Sequence, residues 1–157
     1  MYYELYDDNE YQNVLRSFVK WIKEFCCKSE FQFLEKSKLY WEIPNTENFE
    51  FRDFYLIDGK VPVFSYQVWE KAMSILDTDG IFQIPVVIKM CGEQHYYIIA
   101  VPSRIRCCDS NGRILPKNVG RYHYFKSASA DDMSIYVTQK LMTELKAFPT
   151  IKFKGVE

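Results

Sequence analysis

The chain has 157 residues and a formal net charge of -1, because 20 Lys and Arg residues are balanced by 21 Asp and Glu residues. Hydrophobic residues make up 48% of it and aromatic residues 17%, which excludes a disordered chain and is enough to build one packed core. The balanced charge also argues against nucleic-acid binding, because such domains carry a basic excess that neutralises phosphates.

The sequence shows no targeting or membrane-spanning segment. No apolar run approaches the roughly 20 residues that a membrane-spanning helix needs. The first residues, MYYELYDDNEYQ, are acidic and lack the basic and apolar regions of a signal peptide. The five cysteines are odd in number and lack CxxC spacing, as is typical of reduced intracellular proteins. We therefore expect a cytoplasmic protein with free thiols and no membrane partner.

In the N-terminal third, the pattern predicts a strand, a helix and a second strand. Residues 2–6, YYELY, are typical of a short strand. At residues 9–27 the apolar side chains follow helical spacing and form one stripe, which predicts a helix. Residues 39–43, LYWEI, are again typical of a strand.

In the middle of the chain, apolar runs alternate with polar turns. Asp58-Gly59 lies between two apolar runs and predicts a tight hairpin turn. Ser65 is the predicted N-cap of a helix that ends at DTDG, residues 77–80. The runs IFQIPVVIKM and HYYIIAV are joined by the polar link CGEQ, which predicts a second hairpin.

The last third is predicted to add strands and one more helix. RIRCCD is a predicted strand that ends in a turn begun by Asp109. Because neighbouring side chains of a strand point to opposite faces, Cys107 and Cys108 are not expected to act on one site. RYHYF, MSIYV and TIKFKGV are further predicted strands, and Thr138 is the predicted N-cap of a helix stopped by Pro149.

The order of these elements indicates the fold class. Strands and helices mix without the regular alternation that builds parallel α/β sheets. No repeat, low-complexity segment or linker divides the chain. We therefore expect one α+β domain over residues 1–157, with a mixed or mainly antiparallel sheet and about three helices packed on it.

One combination of residue types fits a thiol hydrolase or acyltransferase. Cys26 or Cys27 would be the nucleophile, His95 the base and Asp109 the acid that orients it, with the last two on adjacent strands. Both cysteines, however, fall at the C-terminal end of the predicted helix, where the helix dipole destabilises a thiolate. The simpler interpretation makes His95 a polar residue at a strand start and Asp109 a turn former.

Other catalytic and cofactor motifs are absent from the sequence. Two histidines without paired ligand spacing do not predict a metal site. DTDG is followed by apolar residues rather than by the acidic ligands of a calcium loop. Phosphate-binding, dinucleotide-binding and GxSxG motifs are also absent, so we expect no cofactor.

The order of four segments resembles a bacterial family of immunity proteins against polymorphic toxins, first catalogued as a domain of unknown function. The resemblance covers residues 50–157 best, and the four segments are DFYLIDGKVPVFSYQVWEKAMSIL, IFQIPVVI, YYIIAVPSRIRCCDSNGR and SIYVTQKLMTELKAFPTIKFKGVE. The Tyr-rich start MYYEL, the step VPVFS into a helix and Asp109 after an apolar-Pro segment also match the family pattern. Pro149 stands where the family usually has a Gly before its last strand.

The resemblance implies inhibition by binding. Such a protein would occupy the active site or another essential surface of its cognate toxin, without catalysis and without a cofactor, and the family offers no catalytic residues to transfer. A scaffold module with no toxin partner is a further alternative, distinguished by a stable homo-oligomer that covers its aromatic surface.

If the chain binds a toxin, we expect exposed aromatic residues beside carboxylates to form the interface. Acidic groups suit toxins that degrade nucleic acids, because those toxins carry basic substrate grooves. The alternative is that both candidate segments are merely solvated loops. The predicted partner-binding residues are Glu47, Glu50 and Asp53 in one segment, and Asp131 and Asp132 beside Tyr124 in the other.

Overall fold

The computed structural model describes residues 1–7, 39–42, 51–57, 59, 61–78, 80–90 and 92–156. The helix predicted at residues 9–27 lies outside these residues.

The α+β class is confirmed. The strands are β1 (Tyr2–Tyr6), β2 (Leu39–Glu42), β3 (Phe54–Ile57), β4 (Val61–Ser65), β5 (Phe82–Met90), β6 (Glu93–Val101), β7 (Arg104–Ile105), β8 (Tyr124–Ser127), β9 (Ile135–Thr138) and β10 (Lys152–Val156). The helices of the described residues are α1 (Tyr66–Met73), α2 (Pro116–Val119) and α3 (Gln139–Leu145).

The strands form two sheets rather than the single sheet expected. Sheet A has the order β10-β1-β9-β8-β7, and sheet B has the order β2-β5-β6-β4-β3. Neighbouring strands are antiparallel except for the parallel pairs β2–β5 and β7–β8. In sheet A the first strand lies between the last two, so that Tyr2 pairs with both Thr138 and Val156.

Local sequence chemistry explains the turns and helix starts. Gly59 has a φ of 66° in the turn between β3 and β4, a conformation that favours glycine. The Ser65 hydroxyl accepts a hydrogen bond from the Val68 N–H and caps α1, as predicted. The Thr138 hydroxyl accepts one from the Leu141 N–H and caps α3, also as predicted.

The core lies where sheet B packs against α1, α3 and sheet A. One cluster of buried residues contains members of both sheets and of both helices. At its centre, the Trp69 ring lies 5.5 Å from that of Phe64 and 6.0 Å from that of Tyr124. The Trp69 indole N–H donates to the Gln83 side-chain oxygen, and the Tyr124 hydroxyl donates to the Ala100 carbonyl. The polar atoms of both buried rings are therefore satisfied.

The strand predicted at residues 104–109 is shorter than expected, because β7 ends at Ile105. The Cys107 N–H donates to the Ile105 carbonyl two residues earlier, a tight γ-turn that interrupts the pleat. As a result, the sulfurs of Cys107 and Cys108 do not point to opposite faces but lie 3.5 Å apart. The prediction that these two side chains point to opposite faces is therefore wrong.

His123, the residue directly before β8, is expected to make the fold sensitive to acid. Its Nδ1 atom lies 2.8 Å from the Thr138 hydroxyl oxygen, and burial, together with the charge of Lys140, lowers the pKa of His123. An unfolded histidine has a pKa of about 6.5, so on acidification the unfolded chain takes up this proton first. The contribution of His123 to folding stability is therefore fully present above about pH 6.5. It is lost as the pH falls below this value and through the lower pKa of the folded state.

Urea denaturation from about pH 7 to pH 5 measures the free energy of unfolding of the wild type and of His123→Gln. The wild type should lose more stability than the variant across this window. Equal losses in the two proteins would contradict the assignment.

None of the helices in the described residues is long and apolar enough to cross a membrane.

Candidate functional site

A polar cleft of about 430 Å³ opens on sheet B. Three short segments line it: residues 51–53 before β3, residues 65–67 where β4 meets α1, and residues 94–97 of β6. Because β4 and β6 are hydrogen-bonded neighbours, with Ser65 paired to Tyr97, the last two segments are held side by side. Side chains from distant parts of the sequence therefore meet in one place.

The segment 51–53 is held against the sheet by buried hydroxyl groups. The Tyr97 hydroxyl donates to the Arg52 carbonyl at 2.8 Å, and the Arg52 N–H donates to the Tyr55 hydroxyl at 2.8 Å. Burial raises the pKa of Tyr55 to about 12 and that of Tyr97 well above its usual value, so both phenols stay protonated at neutral pH. Asp53 is connected to β4, because the Ser65 N–H donates to its carbonyl and the Ser65 hydroxyl to its carboxylate.

Only some of the charged side chains at the cleft form an ion pair with a Lys, Arg, Asp or Glu among the described residues. The Arg52 guanidinium forms an ion pair with the Asp7 carboxylate at 3.3 Å, and Asp7 also accepts the Leu56 N–H. In the part of the chain that the structure describes, no Lys or Arg forms an ion pair with Asp53 or with the exposed Glu93. Among the described residues, the Asp53 carboxylate in the cleft and the Glu93 carboxylate beside His95 therefore have no Lys or Arg partner.

His95 lies inside the cleft. Its ring stacks on the Phe51 ring, with centroids 3.5 Å apart and planes inclined by 10°. Its Nε2 atom lies 3.5 Å from the Glu93 carboxylate, an ion pair when the ring is protonated, but without the alignment of a hydrogen bond. The stacking positions the imidazole at the wall of the cleft and joins residues 51–53 to β6.

An apolar groove of about 310 Å³ adjoins the polar cleft. Its floor is the surface of β5 and β6, formed by Pro85, Val86, Val87 and Ile98. Tyr66, Tyr96 and Tyr97 line both the groove and the cleft. Two of them are unusually accessible for large aromatic side chains: Tyr66 is 49% exposed and Tyr96 57% exposed.

Of the predicted partner-binding residues, those that the structure describes are not brought together. Asp53 lies in the cleft, and Glu47 and Glu50 lie outside the described residues. Tyr124 is only 2% exposed and packs in the core, because its strand turns this ring toward sheet B. Asp131 and Asp132 lie in the connection between β8 and β9 of sheet A, where the Asp132 carboxylate accepts the Tyr136 hydroxyl and the Ser134 N–H.

His95 and Asp109 of the alternative hydrolase are also separated. His95 is on β6, whose neighbours in sheet B are β5 and β4. Asp109 is in a turn beyond sheet A's β7, and its carboxylate accepts the Asn111 and Arg113 N–H groups. The expectation that the two lie on adjacent strands is wrong, whereas the predicted turn role of Asp109 is confirmed. Cys26 and Cys27 lie outside the described residues.

Sequence reasoning missed Tyr66 and Tyr96 as the accessible aromatic residues of this site. Tyr66 directly follows the helix cap Ser65, so it is in the first turn of α1, where side chains are often accessible. Tyr96 and Tyr97 are neighbours on β6, and strand alternation requires them to face opposite sides. The alternation alone does not tell which of the two sides is covered.

Within the described segments, no cluster of three or more His, Cys, Asp or Glu side chains is arranged to hold a metal ion. Comparison with known proteins gave no match to a protein-family model, to a curated protein or to a solved structure.

Proposed function

We propose that this protein is an immunity protein, which binds a cognate bacterial toxin domain and neutralises it by occlusion, without catalysis and without a cofactor. The observation that carries the proposal is the pair of exposed tyrosines, Tyr66 and Tyr96, at the boundary between the apolar groove and the polar cleft. The resemblance of residues 50–157 to immunity proteins supports the same function.

The aromatic part of this surface suits protein recognition. Tyrosine offers a large apolar ring, a hydroxyl for hydrogen bonding and few rotatable bonds, so it is enriched among the residues that dominate binding energy. A groove floored by Pro85, Val87 and Ile98 can accept an apolar side chain of the partner beside Tyr66 and Tyr96. The groove would form the centre of an interface that buries about 800 Å² on each partner.

The charged part of this surface suits a basic partner. Among the described residues, neither Asp53 nor Glu93 pairs with a Lys or Arg, while Arg52 forms an ion pair with Asp7. Negative charge at an interface speeds association with a positively charged surface and disfavours acidic competitors. A toxin that degrades nucleic acid carries such a positive substrate groove, so we assign the partner to this class.

The proposal is tested with the tagged full-length chain in its native lysate. We expect near-stoichiometric capture of a protein that contains a small toxin domain, identified by mass spectrometry. Co-expression of this chain should then suppress the toxicity of that domain. The purified protein should also inhibit the activity of the purified toxin domain, since occlusion requires only binding.

Two outcomes would contradict the proposal. One is a captured toxin domain whose activity is unchanged in the purified complex. The other is a stable homo-oligomer, measured by light scattering, in which Tyr66 and Tyr96 become inaccessible; that result would favour a scaffold module.

A further inference from the structure

The adjacent cysteines Cys107 and Cys108 form a second site of chemical interest, separate from the cleft on sheet B. Their sulfurs lie 3.5 Å apart, directly after β7 in sheet A. Cys107 is fully buried and Cys108 is half-buried, so Cys108 is the more accessible residue of the pair. Both pack with a small apolar cluster built from Ile114, Val119, Phe125 and Tyr136.

Backbone hydrogen bonds hold the two cysteines in this arrangement. The Cys107 N–H donates to the Ile105 carbonyl, and the Cys107 carbonyl accepts the Leu115 N–H at 2.8 Å. Cys108 forms an antiparallel bridge with Ile114. The backbone of both cysteines is therefore held in place by hydrogen bonds to the segment that contains Ile114 and Leu115.

The geometry disfavours a disulfide between these two residues. Adjacent residues joined by a trans peptide have Cα atoms about 3.8 Å apart, whereas disulfides prefer roughly 4.4–6.8 Å. Closing the bond would also distort the backbone at Cys108 and weaken its bridge to Ile114. A ligand that joins the two sulfurs through a third atom avoids this distortion.

The distance between the sulfurs indicates the coordination geometry of a ligand that bonds to both of them. With bonds of about 2.3 Å, a bent dithiolate complex spaces its sulfurs roughly 3.8 Å apart, and a linear one roughly 4.6 Å. The observed 3.5 Å fits the bent arrangement. A structural zinc ion would need about four ligands, and the described residues offer no cluster of three or more. Among the described residues, the site therefore offers a ligand two thiolates in a bent geometry.

We propose that Cys107 and Cys108 form a binding site for trivalent organoarsenicals, thiophilic compounds that carry one carbon substituent and take two thiolates in a pyramidal geometry. For an arsenoxide, both arsenic–oxygen bonds are replaced by two arsenic–sulfur bonds. The two thiol protons leave with the oxygen as one water molecule. Arsenic stays trivalent, so no oxidant or reductant is needed. The half-buried Ile105 and Tyr122 offer an apolar surface for the organic substituent.

The protonation of the thiols suits this reaction. Burial, together with the neighbouring Cys108 sulfur, raises the pKa of Cys107 to about 11, so this thiol is protonated at neutral pH. Cys107 is therefore a poor nucleophile by itself. The half-buried Cys108 forms the first arsenic–sulfur bond, and Cys107 closes the ring as its proton leaves with the departing oxygen.

The test uses the folded, reduced full-length chain and phenylarsine oxide as the probe. After one equivalent is bound, the remaining thiols are blocked with a maleimide. The arsenical is then released with a small dithiol, and the freed thiols receive an isotopically distinct maleimide. Trypsin cleavage after Arg106 and Arg113 yields a peptide with both cysteines, residues 107–113, whereas Cys26 and Cys27 fall in residues 24–28. We expect the second label on residues 107–113.

Two variants and a synthetic peptide serve as controls for this test. Cys108→Ser, at the half-buried position, should lower affinity for the probe at least tenfold, while Cys91→Ser leaves it unchanged. Circular dichroism checks that each variant is folded. The folded protein should also bind at least tenfold more tightly than a synthetic peptide of residues 107–113. The proposal is overturned if the label appears on residues 24–28 instead, if the folded chain does not bind, or if the peptide binds equally well.

Discussion

Replacing Trp69 with alanine is expected to lower the free energy of unfolding by about 3–5 kcal/mol. The indole is 1% exposed and packs between Phe64 of sheet B and Tyr124 of sheet A. Its removal leaves a cavity at the point where the two sheets and α1 meet, and it deprives Gln83 of its hydrogen-bond donor. Urea denaturation followed by circular dichroism measures the loss.

Tyr66→Ala is the matched control, because Tyr66 belongs to the same helix but is half exposed. It should cost less than about 1 kcal/mol. Because Trp69→Ala can remove most of the stability of a small domain, Trp69→Phe provides a milder variant that keeps an aromatic ring but loses the N–H. If Trp69→Ala is no more destabilising than Tyr66→Ala, the ring does not connect the two sheets as described.

Alanine at Tyr66 or at Tyr96 is expected to weaken binding of the toxin partner by about 2 kcal/mol or more, which is roughly 30-fold for each residue. The two rings line both cavities, and their loss would open the centre of the proposed interface to water. Both side chains are about half exposed in the free protein, so the folded state should lose little stability. Titration calorimetry with the captured toxin domain measures the affinity, and thermal unfolding checks the fold.

Tyr6→Ala provides the matched control for these variants. Tyr6 is 41% exposed, but it lies on β1 of sheet A and lines neither the cleft nor the groove. Its replacement should leave affinity within about twofold of the wild type, since truncation of a residue outside the interface centre costs little. Equal weakening by Tyr6→Ala and Tyr96→Ala would show that the groove is not the binding surface.

Features that depend on residues close together in sequence were predicted from the sequence. The caps Ser65 and Thr138 and the turn residue Asp109 each bond to a backbone N–H two to four residues away. Such bonds need only the right side chain at the right spacing. The two hairpins of sheet B are similarly local, because a short polar turn joins strands that pair with each other.

Features that depend on distant pairing were not predicted. The parallel pairing of β2 with β5 brings Trp41 opposite Ile88, and no pattern within either strand specifies that partner. The γ-turn at Cys107 was also missed, because its hydrogen bond to Ile105 leaves the apolar pattern unchanged. The groove depends on which face of β6 the rest of the chain leaves open, and that is a property of the assembled sheets.

The position of β1 in sheet A has a consequence for how the chain acquires its structure during synthesis. Both partners of β1 belong to the end of the chain, and the hydrogen bond between Glu4 and Ser134 already spans 130 residues. Closing so long a loop is slow, because its entropy must be lost before any pairing compensates for it. β1 leaves the ribosome long before either of its partners and is therefore among the last of these strands to be paired. Until β9 and β10 emerge, β1 has no partner in its sheet, and molecular chaperones are the means by which a cell protects such an edge.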